Sequence, residues 1–298
     1  METLAGPANR LMLTPAQIVF RLGQLVRGQW GNRPVIEYDG QVIYRLPPPL
    51  SNKPSCLMFT QPKSGSKMAR GILRELARQS GLQPTGPGGA FFKAGIPQSE
   101  IPASTSEIFQ PSGYFYHFSN VPTEYAIPID APALVHVRDI RDVLVSKYYS
   151  LRDSHPEPGD AVTPEKKRAF LDQREMLREL DVDQGVLRLA SRGVADMMKG
   201  LRVRASCKGT MLTRYEDMVY RKQEWAIDVC RHFGWGRPAR AIARAVAPFD
   251  VFPDGEHPDQ HVRQVHPGNY KKKLRPETIE KLNELFGNEL DFFGYPTK

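Results

Sequence analysis

The chain has 298 residues, of which 40% are hydrophobic, and it carries a formal net charge of +8 at pH 7. That length supports one large or two modest domains around a sizeable core. The positive balance favours acidic partners, among them nucleotides, phosphorylated or sulfated sugars, nucleic acid and anionic membranes. No apolar run approaches the roughly 20 residues that a membrane-spanning helix needs.

Three cysteines, at Cys56, Cys207 and Cys230, are far apart and odd in number. They fit neither a disulfide framework nor the spacing of a metal site, so we expect a reducing compartment and a cytoplasmic protein. Residues 1–9 lack the apolar core of a signal peptide.

The N-terminal residues predict a small extension before the main domain. A helical pattern begins at Thr14 and ends near Gly28; this helix either packs on the domain or contacts a membrane surface. Residues 35–44 predict a hairpin around an Asp-Gly turn. We therefore divide the chain into an extension of a helix and a hairpin, residues 1–50, and a main domain, residues 51–298.

Strand and helix patterns alternate through the main domain. Strands are predicted at 56–60, 114–118, 133–137 and 210–215. Helices are predicted at 65–78, 139–151, 164–180, 184–199, 222–233 and 276–286. Residues 83–106, rich in Gly, Pro and Ser, read as a loop. The alternation predicts an α/β fold in which a central, mostly parallel sheet is flanked by helices.

The loop after the first core strand has the chemistry of an anion-binding site. Gly65 permits a tight turn, and the free amides of the helix that follows attract negative charge. Lys63 adds a full positive charge, and Ser64 and Ser66 add hydroxyl donors. The loop is not a Walker A motif, because Thr60 and Ser66 stand where that motif needs glycine and lysine. A plain strand-to-helix turn with a solvated lysine remains an alternative.

A second polar element follows the strand at 133–137. Arg138 lies directly after that strand, where open α/β sheets bind ligands, and Ser146 lies two helical turns further on. A guanidinium fork with a hydroxyl suits a phosphate monoester. Asp139 is expected to cap the helix. Arg141 and Asp142 are expected to be solvated or ion-paired surface charges.

These two elements, in this order, resemble the sulfotransferase family that uses 3′-phosphoadenosine 5′-phosphosulfate (PAPS). The family's Pro-Lys-Ser-Gly-Thr-Thr loop, which holds the 5′-phosphosulfate, is similar to residues 62–67. Its Arg-x-x-(Arg/Lys)-Asp element, with a serine eight residues after the first arginine, is similar to the segment from Arg138 to Ser146 and holds the 3′-phosphate. The resemblance implies a P-loop-like nucleotide-binding fold.

Three further positions extend the resemblance to about residue 271. His117 lies where the family has its catalytic histidine, and Tyr215 lies in a segment similar to the family's adenine-contacting Tyr-Glu-Asp. A C-terminal element around Gly268 is a weaker match. The implied donor-binding residues are Lys63, Ser64, Gly65, Ser66, Lys67, Met68, Arg138, Ser146, Tyr215, Arg263, Gln264 and Gly268.

The departures from the family pattern indicate a divergent branch, bacterial or otherwise. Lys67 replaces a threonine, Met68 replaces an aromatic residue, and Phe115 replaces a lysine two residues before the histidine. We therefore expect a sugar or lipid hydroxyl as acceptor, rather than a small phenol or steroid.

The resemblance implies sulfuryl transfer from PAPS, with His117 accepting the acceptor's proton and Lys63 stabilising the leaving group. It requires no metal and no nucleic acid. Two alternatives remain: a nucleotide or small-molecule kinase on a related phosphate-loop fold, and a binding-only protein with a decayed site. The sequence gives no indication of the oligomeric state.

Overall fold

A computed structural model of the chain describes residues 33–96, 100–122, 125–157, 163–190, 192–252 and 265–297. The predicted N-terminal helix at 14–28 lies outside the described residues. The strands are β1 (Val35–Tyr38), β2 (Gln41–Arg45), β3 (Cys56–Thr60), β4 (Gln83–Thr85), β5 (Tyr114–Phe118), β6 (Ala133–Val137) and β7 (Thr210–Arg214).

Helices precede and follow these strands along the main domain. The α-helices are α1 (Ser66–Gln79), α2 (Gly88–Lys93), α3 (Ile140–Tyr149), α4 (Pro164–Glu179), α5 (Val182–Leu189), α6 (Arg192–Ala205), α7 (Tyr215–Met218), α8 (Lys222–His232), α9 (Ala239–Val246), α10 (Tyr270–Lys273) and α11 (Pro276–Phe292). Short 3₁₀ helices occur at Ala103–Ile108 and Ala247–Phe249, and a π-helix extends α3 over Ser150–Ser154.

The central sheet has five parallel strands in the order β4-β5-β3-β6-β7. Every residue of β3 and β6 is buried, because helices cover both faces of the sheet. Strands in that position are mostly apolar on both faces. This confirms the predicted α/β fold with a parallel central sheet flanked by helices.

Alternate residues of the strands feed two separate cores. Met58 and Phe115 point into the layer formed by α1, α8 and α9. Phe59 and Val135 point into the opposite layer, formed chiefly by α3, α5, α6 and α11. The carboxyl ends of β3 and β6 therefore lie side by side at one edge of the sheet, between the two helical layers.

The predicted hairpin is present and packs against the main domain. β1 and β2 pair antiparallel around Asp39 and Gly40, whose φ angles of 51° and 70° both lie in the left-handed region. That is the backbone of a type I′ turn, which favours Asp-Gly. Ile36 and Leu46 are buried in the same core as the sheet.

Two predicted segments differ from the structure. The expected loop at 83–106 contains the edge strand β4 and helix α2. β4 can include Pro84, whose nitrogen has no hydrogen to donate, because a short strand at the edge of a sheet tolerates proline. The single helix expected at 184–199 is two helices, α5 and α6, and α5 ends at Ala190 with a non-helical ψ of 59°.

A buried histidine holds the loop after β3 against the neighbouring strands. His136 is 0% exposed. Its Nε2 lies 3.0 Å from the carbonyl oxygen of Ser64, and its Nδ1 lies 2.9 Å from Oγ1 of Thr213. A carbonyl only accepts, so Nε2 carries the proton and Nδ1 accepts from the threonine hydroxyl. The histidine therefore ties the loop to β6 and β7 in its neutral form.

Gln61 adds a second connection between the loop and β6. Its side-chain oxygen accepts a hydrogen bond from the backbone nitrogen of Arg138 at 2.8 Å. Its own backbone nitrogen donates to the carbonyl oxygen of His136 at 3.2 Å. The two anion-binding elements predicted from the sequence are thus joined through the backbone at the sheet edge.

The contact between α5 and α3 gives a test of the packing. A Cβ atom on Gly185 would lie 2.3 Å from Cε2 of the buried Tyr148, so we expect Gly185→Ala to destabilise the protein by about 1–3 kcal/mol. Gly287 in α11 has no atom within 4 Å of the corresponding point. Gly287→Ala is the matched control and should stabilise by up to about 1 kcal/mol. Urea unfolding measures both; equal stability of the two variants would contradict the packing.

The buried histidine gives a test by pH. Burial lowers the pKa of His136 to about 4, whereas an exposed histidine titrates near ~6.5. As the pH falls below ~6.5, His136 binds a proton in the unfolded chain but not in the folded chain, so the free energy of unfolding falls. His136→Gln should therefore take up about one proton fewer on unfolding near pH 5, with no difference above pH ~7. Urea titrations at several pH values measure this; identical pH slopes would refute it.

Candidate functional site

The loop after β3 adopts an unusual backbone. Lys63 has a φ of 65° and Gly65 a φ of 72°, both in the left-handed region. Glycine adopts that conformation freely, but a lysine there is uncommon and strained. Strain of this kind concentrates at binding and catalytic sites. Here it turns the chain sharply from β3 into α1 and leaves the Lys63 side chain half-exposed.

The first turn of α1 follows this loop directly and leaves its backbone amides without a capping side chain. Gly65 is the residue before the helix, no side chain caps the helix, and no acidic residue lies in its first turn. Ser66 is half-buried and Lys67 is exposed. Uncapped amides and the helix dipole favour an anion at this point. The loop therefore has the donors that the sequence predicts.

Ser64 differs in role from the other loop residues. Its side chain is buried, and its hydroxyl donates to the carbonyl oxygen of Gln61 at 2.6 Å. Its own carbonyl oxygen accepts from His136. Ser64 therefore shapes the loop from within, and its hydroxyl is engaged there rather than presented outwards.

Tyr215 closes one side of the loop. A Cβ on Gly65 would lie 2.8 Å from two ring atoms of Tyr215, so only glycine fits there. The Tyr215 hydroxyl donates to the carbonyl oxygen of Val265 at 2.6 Å, which fixes the ring. Met68 lies on the same side, with its terminal carbon 3.4 Å from the same point.

Arg138 brings the second predicted element into contact with the first. Its Nη1 lies 3.4 Å from the carbonyl oxygen of Lys63, and its guanidinium lies 4.5 Å from the centre of the Tyr215 ring. Its Nη2 pairs with Asp142 at 3.1 Å. Arg138 is 6% exposed, and its Nε has no hydrogen-bond partner among the described residues. Arg138 therefore offers an unused donor beside the loop.

Asp142 connects Arg138 to the C-terminal segment, by which we mean residues 265–273. Besides Arg138, its carboxylate accepts from the backbone nitrogens of Gly268 at 2.8 Å and Tyr270 at 2.9 Å. Gly268 has a φ of 82°, a left-handed conformation that suits glycine. The predicted donor-binding residue Gly268 thus lies beside Arg138. Arg263 and Gln264, also predicted, lie outside the described residues.

The surface position expected for Arg141 and Asp142 is wrong: both are 1% exposed. Arg141 forms a bidentate pair with Asp139 at 2.9 and 2.7 Å and donates to Asn283 in α11 at 2.7 Å. Both charges are buried because α11 and the segment at Tyr270 cover α3, a contact between residues more than a hundred positions apart. The predicted helix cap is present, since Asp139 accepts from the backbone nitrogen of Arg141.

Ser146 lies eight residues after Arg138 on α3 and is half-buried. The structure gives its hydroxyl no hydrogen bond to any described residue, so it remains available as a donor. Sequence reasoning missed Gln61 and the contact of Tyr270 with α3. The one sequence feature that could have indicated a role for Gln61 is its position directly after β3. Nothing in the sequence around Tyr270 indicates that it contacts α3.

His117 lies on β5, opposite Met58 and therefore two residues before the level at which β3 ends. Its ring points into the α1 layer, next to Phe115 and Gly86. Burial, followed by the positive charges of Arg70 and Arg74, lowers its pKa to about 3. The ring is therefore neutral at physiological pH and has a lone pair with which to accept a proton.

Two kinds of feature are absent from the described residues. Among the described residues, no group of three or more His, Cys, Asp or Glu side chains is placed to hold a metal ion. In the same part of the chain, no helix combines the length and the apolar character needed to cross a membrane.

The chain matches no protein-family profile and no curated protein in sequence. It does match solved structures. The mouse sulfotransferase SULT7A1, complexed with PAP, is 14% identical, with a TM-score of 0.52 over 80% of this chain and 86% of that one. Retinol dehydratase in complex with androsterone and inactive cofactor PAP is 11% identical, with a TM-score of 0.48 over 79% of this chain and 80% of that one.

A sulfotransferase domain from the curacin biosynthetic pathway is 13% identical, with a TM-score of 0.37 over 83% of this chain and 99% of that one. At these identities the likeness to the mouse enzyme establishes the architecture alone. The chain has the fold of a sulfotransferase, which confirms the fold implied by the resemblance of its loop and its arginine element.

Proposed function

We propose that the chain is a PAPS-dependent sulfotransferase that moves a sulfuryl group to the hydroxyl of a sugar or lipid. The observation that carries the proposal is the contact between Arg138 and the carbonyl oxygen of Lys63. It places two groups of anion donors, the loop with its open helix amides and the Arg138 guanidinium, at one edge of the sheet. A ligand with two separate phosphate groups fits that arrangement.

The donor would lie with its 5′-phosphosulfate on the loop, held by Lys63, Ser66 and the first amides of α1. Its 3′-phosphate would meet the unused Nε of Arg138 and the hydroxyl of Ser146. The Tyr215 ring, which packs between Gly65 and Arg138, is the proposed contact for the adenine.

Other predicted residues complete the proposed donor site. Gly268 is held beside Arg138 by Asp142. Met68 takes the place of the aromatic residue found in relatives, and Lys67 adds charge at the helix start. Arg263 and Gln264 remain proposals from the sequence. The mouse structure of the same fold is complexed with PAP, which is the product this proposal predicts.

At the sulfur, transfer forms one S–O bond and breaks another. The acceptor oxygen attacks the sulfur in line, and the bond between sulfur and the bridging oxygen breaks with its electron pair on the 5′-phosphate. Lys63 stabilises that developing negative charge. The acceptor's proton passes to His117, and the products are a sulfate ester and adenosine 3′,5′-bisphosphate. The arginines and Lys63 supply the positive charge, so the proposed reaction uses no metal.

A base with a pKa near 3 is weak, and the charge of a bound donor opposes one of the causes of that low pKa. Burial and the cationic arginines lower the pKa of His117, and the negative charge of a bound donor opposes the arginine contribution. We therefore expect the pKa of His117 to rise when the nucleotide binds. Proton acceptance is then favoured in the loaded enzyme rather than in the free one.

The kinase alternative is less favoured. The loop lacks the lysine that follows the second glycine of a Walker A motif. The binding-only alternative shares the donor site and differs only in turnover. Cys56, Cys207 and Cys230 are all free, which supports the cytoplasm as the proposed location.

Nucleotide binding separates the sulfotransferase from the kinase. Adenosine 3′,5′-bisphosphate at a hundredfold excess over its Kd should raise the free energy of unfolding by about 2.7 kcal/mol, whereas ATP with Mg²⁺ should produce no comparable shift. Lys63→Ala keeps the left-handed backbone but removes the ammonium, and should weaken bisphosphate binding about 10- to 100-fold. Lys53→Ala, an exposed lysine before β3, is the control. A thermal shift with ATP–Mg²⁺ alone would refute the proposal.

Turnover separates the sulfotransferase from a decayed binding protein. With labelled PAPS and a panel of sugar, lipid and phenol acceptors, His117→Ala should lower kcat by about 10²- to 10⁴-fold while leaving bisphosphate affinity unchanged. His232→Ala is the control, because its ring contacts the carbonyl of Ala133 at the opposite end of β6. Wild-type kcat in His117→Ala would remove the proposed base, and no transfer by the wild-type protein would leave a binding function only.

A further inference from the structure

A row of basic side chains runs along one face of α1, beside the proposed site. The row consists of Lys67, Arg70, Arg74 and Arg78. Spacings of three and four residues place all of them on the same side of the helix. Lys67 and Arg74 are exposed and the other two are half-buried, while the opposite side of α1 is buried in the core. We call this set the basic row.

Most of the basic row does not stabilise the helix through its dipole; Arg78 is the exception, because it lies in the last turn, where positive charge is favourable. Burial and the charge of Arg74 lower the pKa of Arg70, and the same two causes lower the pKa of Arg78. Positive charge in the first turns of a helix also opposes the helix dipole, and α1 has no acidic residue there. Neither Arg70 nor Arg74 forms an ion pair with any described residue. Repulsion of this kind is relieved when an anionic ligand binds.

The basic row and the proposed base lie on the same side of the sheet. The ring of His117 points into the α1 layer, and the charges of Arg70, Arg74 and Arg78 all act on it. A ligand bound along the row would therefore pass close to His117. The row is thus placed to hold the acceptor near the proposed base.

The length of the row indicates an extended ligand. Lys67 and Arg78 are eleven residues apart, which is about 16 Å along a helix axis. A single carboxylate or sulfate would meet only one or two of the four cations. Guanidinium groups bind carboxylates and sulfates through paired hydrogen bonds, so several such groups in series would match the row.

We propose that the acceptor is an acidic oligosaccharide whose carboxylate or sulfate groups lie along the basic row while one hydroxyl reaches His117. This inference rests on the proposed sulfotransferase function and specifies its substrate. A sugar chain is favoured over a peptide or a lipid because none of the exposed large apolar side chains of the described residues lies on α1. The face offers charge and hydrogen bonds without an anchor for apolar groups.

The test compares two oligosaccharides that differ only in charge. One is a hexasaccharide of alternating N-acetylglucosamine and glucuronate, and the other is the same chain with its carboxylates reduced to alcohols. With labelled PAPS, kcat/KM should be at least about tenfold higher for the acidic chain, and the advantage should shrink in high salt. A tyrosine-containing acidic peptide and a neutral lipid alcohol are the comparison acceptors.

Arg74→Glu reverses one exposed charge in the middle of the row, away from the loop. It should raise KM for the acidic hexasaccharide about tenfold and leave KM for the reduced chain and bisphosphate affinity unchanged. A change in kcat that arises through the charge on His117 should be equal for the two acceptors. Lys281→Glu reverses an exposed charge on α11, in the opposite helical layer, and should change none of these values. Direct binding of a fluorescent acidic hexasaccharide to both variants measures the same contact without turnover.

The outcomes separate this inference from the proposed function. Bisphosphate binding with equal or better transfer to the reduced chain, the peptide or the lipid alcohol would overturn the acidic acceptor and leave the sulfotransferase standing. Binding of the acidic hexasaccharide that Arg74→Glu does not weaken, or no binding at all, would overturn it as well. Loss of bisphosphate binding by the wild-type protein would instead refute the proposed function.

Discussion

A buried ion pair, Arg138 with Asp142, is the interaction on which the site depends. Removing two charges from water is costly unless each finds further partners, and here both do. Asp142 accepts from two backbone amides of the C-terminal segment, and Arg138 meets the carbonyl of Lys63 and the ring of Tyr215. One pair therefore fixes the relative positions of the loop, α3 and the C-terminal segment.

Around that pair the protein keeps positive charge in excess. The loop and the basic row are cationic, whereas the two histidines of the sheet, His117 and His136, are held neutral by burial. His136 uses its neutral form to join the loop to two strands, and His117 has a lone pair available. An electropositive site with a neutral imidazole suits a polyanionic donor and proton transfer from a hydroxyl.

Sequence reasoning located the parts of the site that have local signals. The alternation of strands and helices, the Asp-Gly hairpin, the loop at Gly65 and the arginine after β6 each depend on residues adjacent in the chain. The burial of Arg141 and Asp142 depends on α11 and on residues near Tyr270, which approach only in the folded chain, so local pattern gave the wrong environment. The inward direction of the Ser64 hydroxyl was missed for a different reason: its partner, the carbonyl oxygen of Gln61, is local, but the direction of that carbonyl depends on the backbone conformation of the turn.

The central claim is that one adenosine carrying phosphates at both ends binds across the loop and the arginine element. A crystal structure of the protein with adenosine 3′,5′-bisphosphate tests this most directly. We expect the 5′-phosphate on the first amides of α1 beside Lys63, and the 3′-phosphate within hydrogen-bond distance of Arg138 and Ser146. Density for the nucleotide elsewhere, with Lys63 and Arg138 facing solvent on separate sides, would contradict the account.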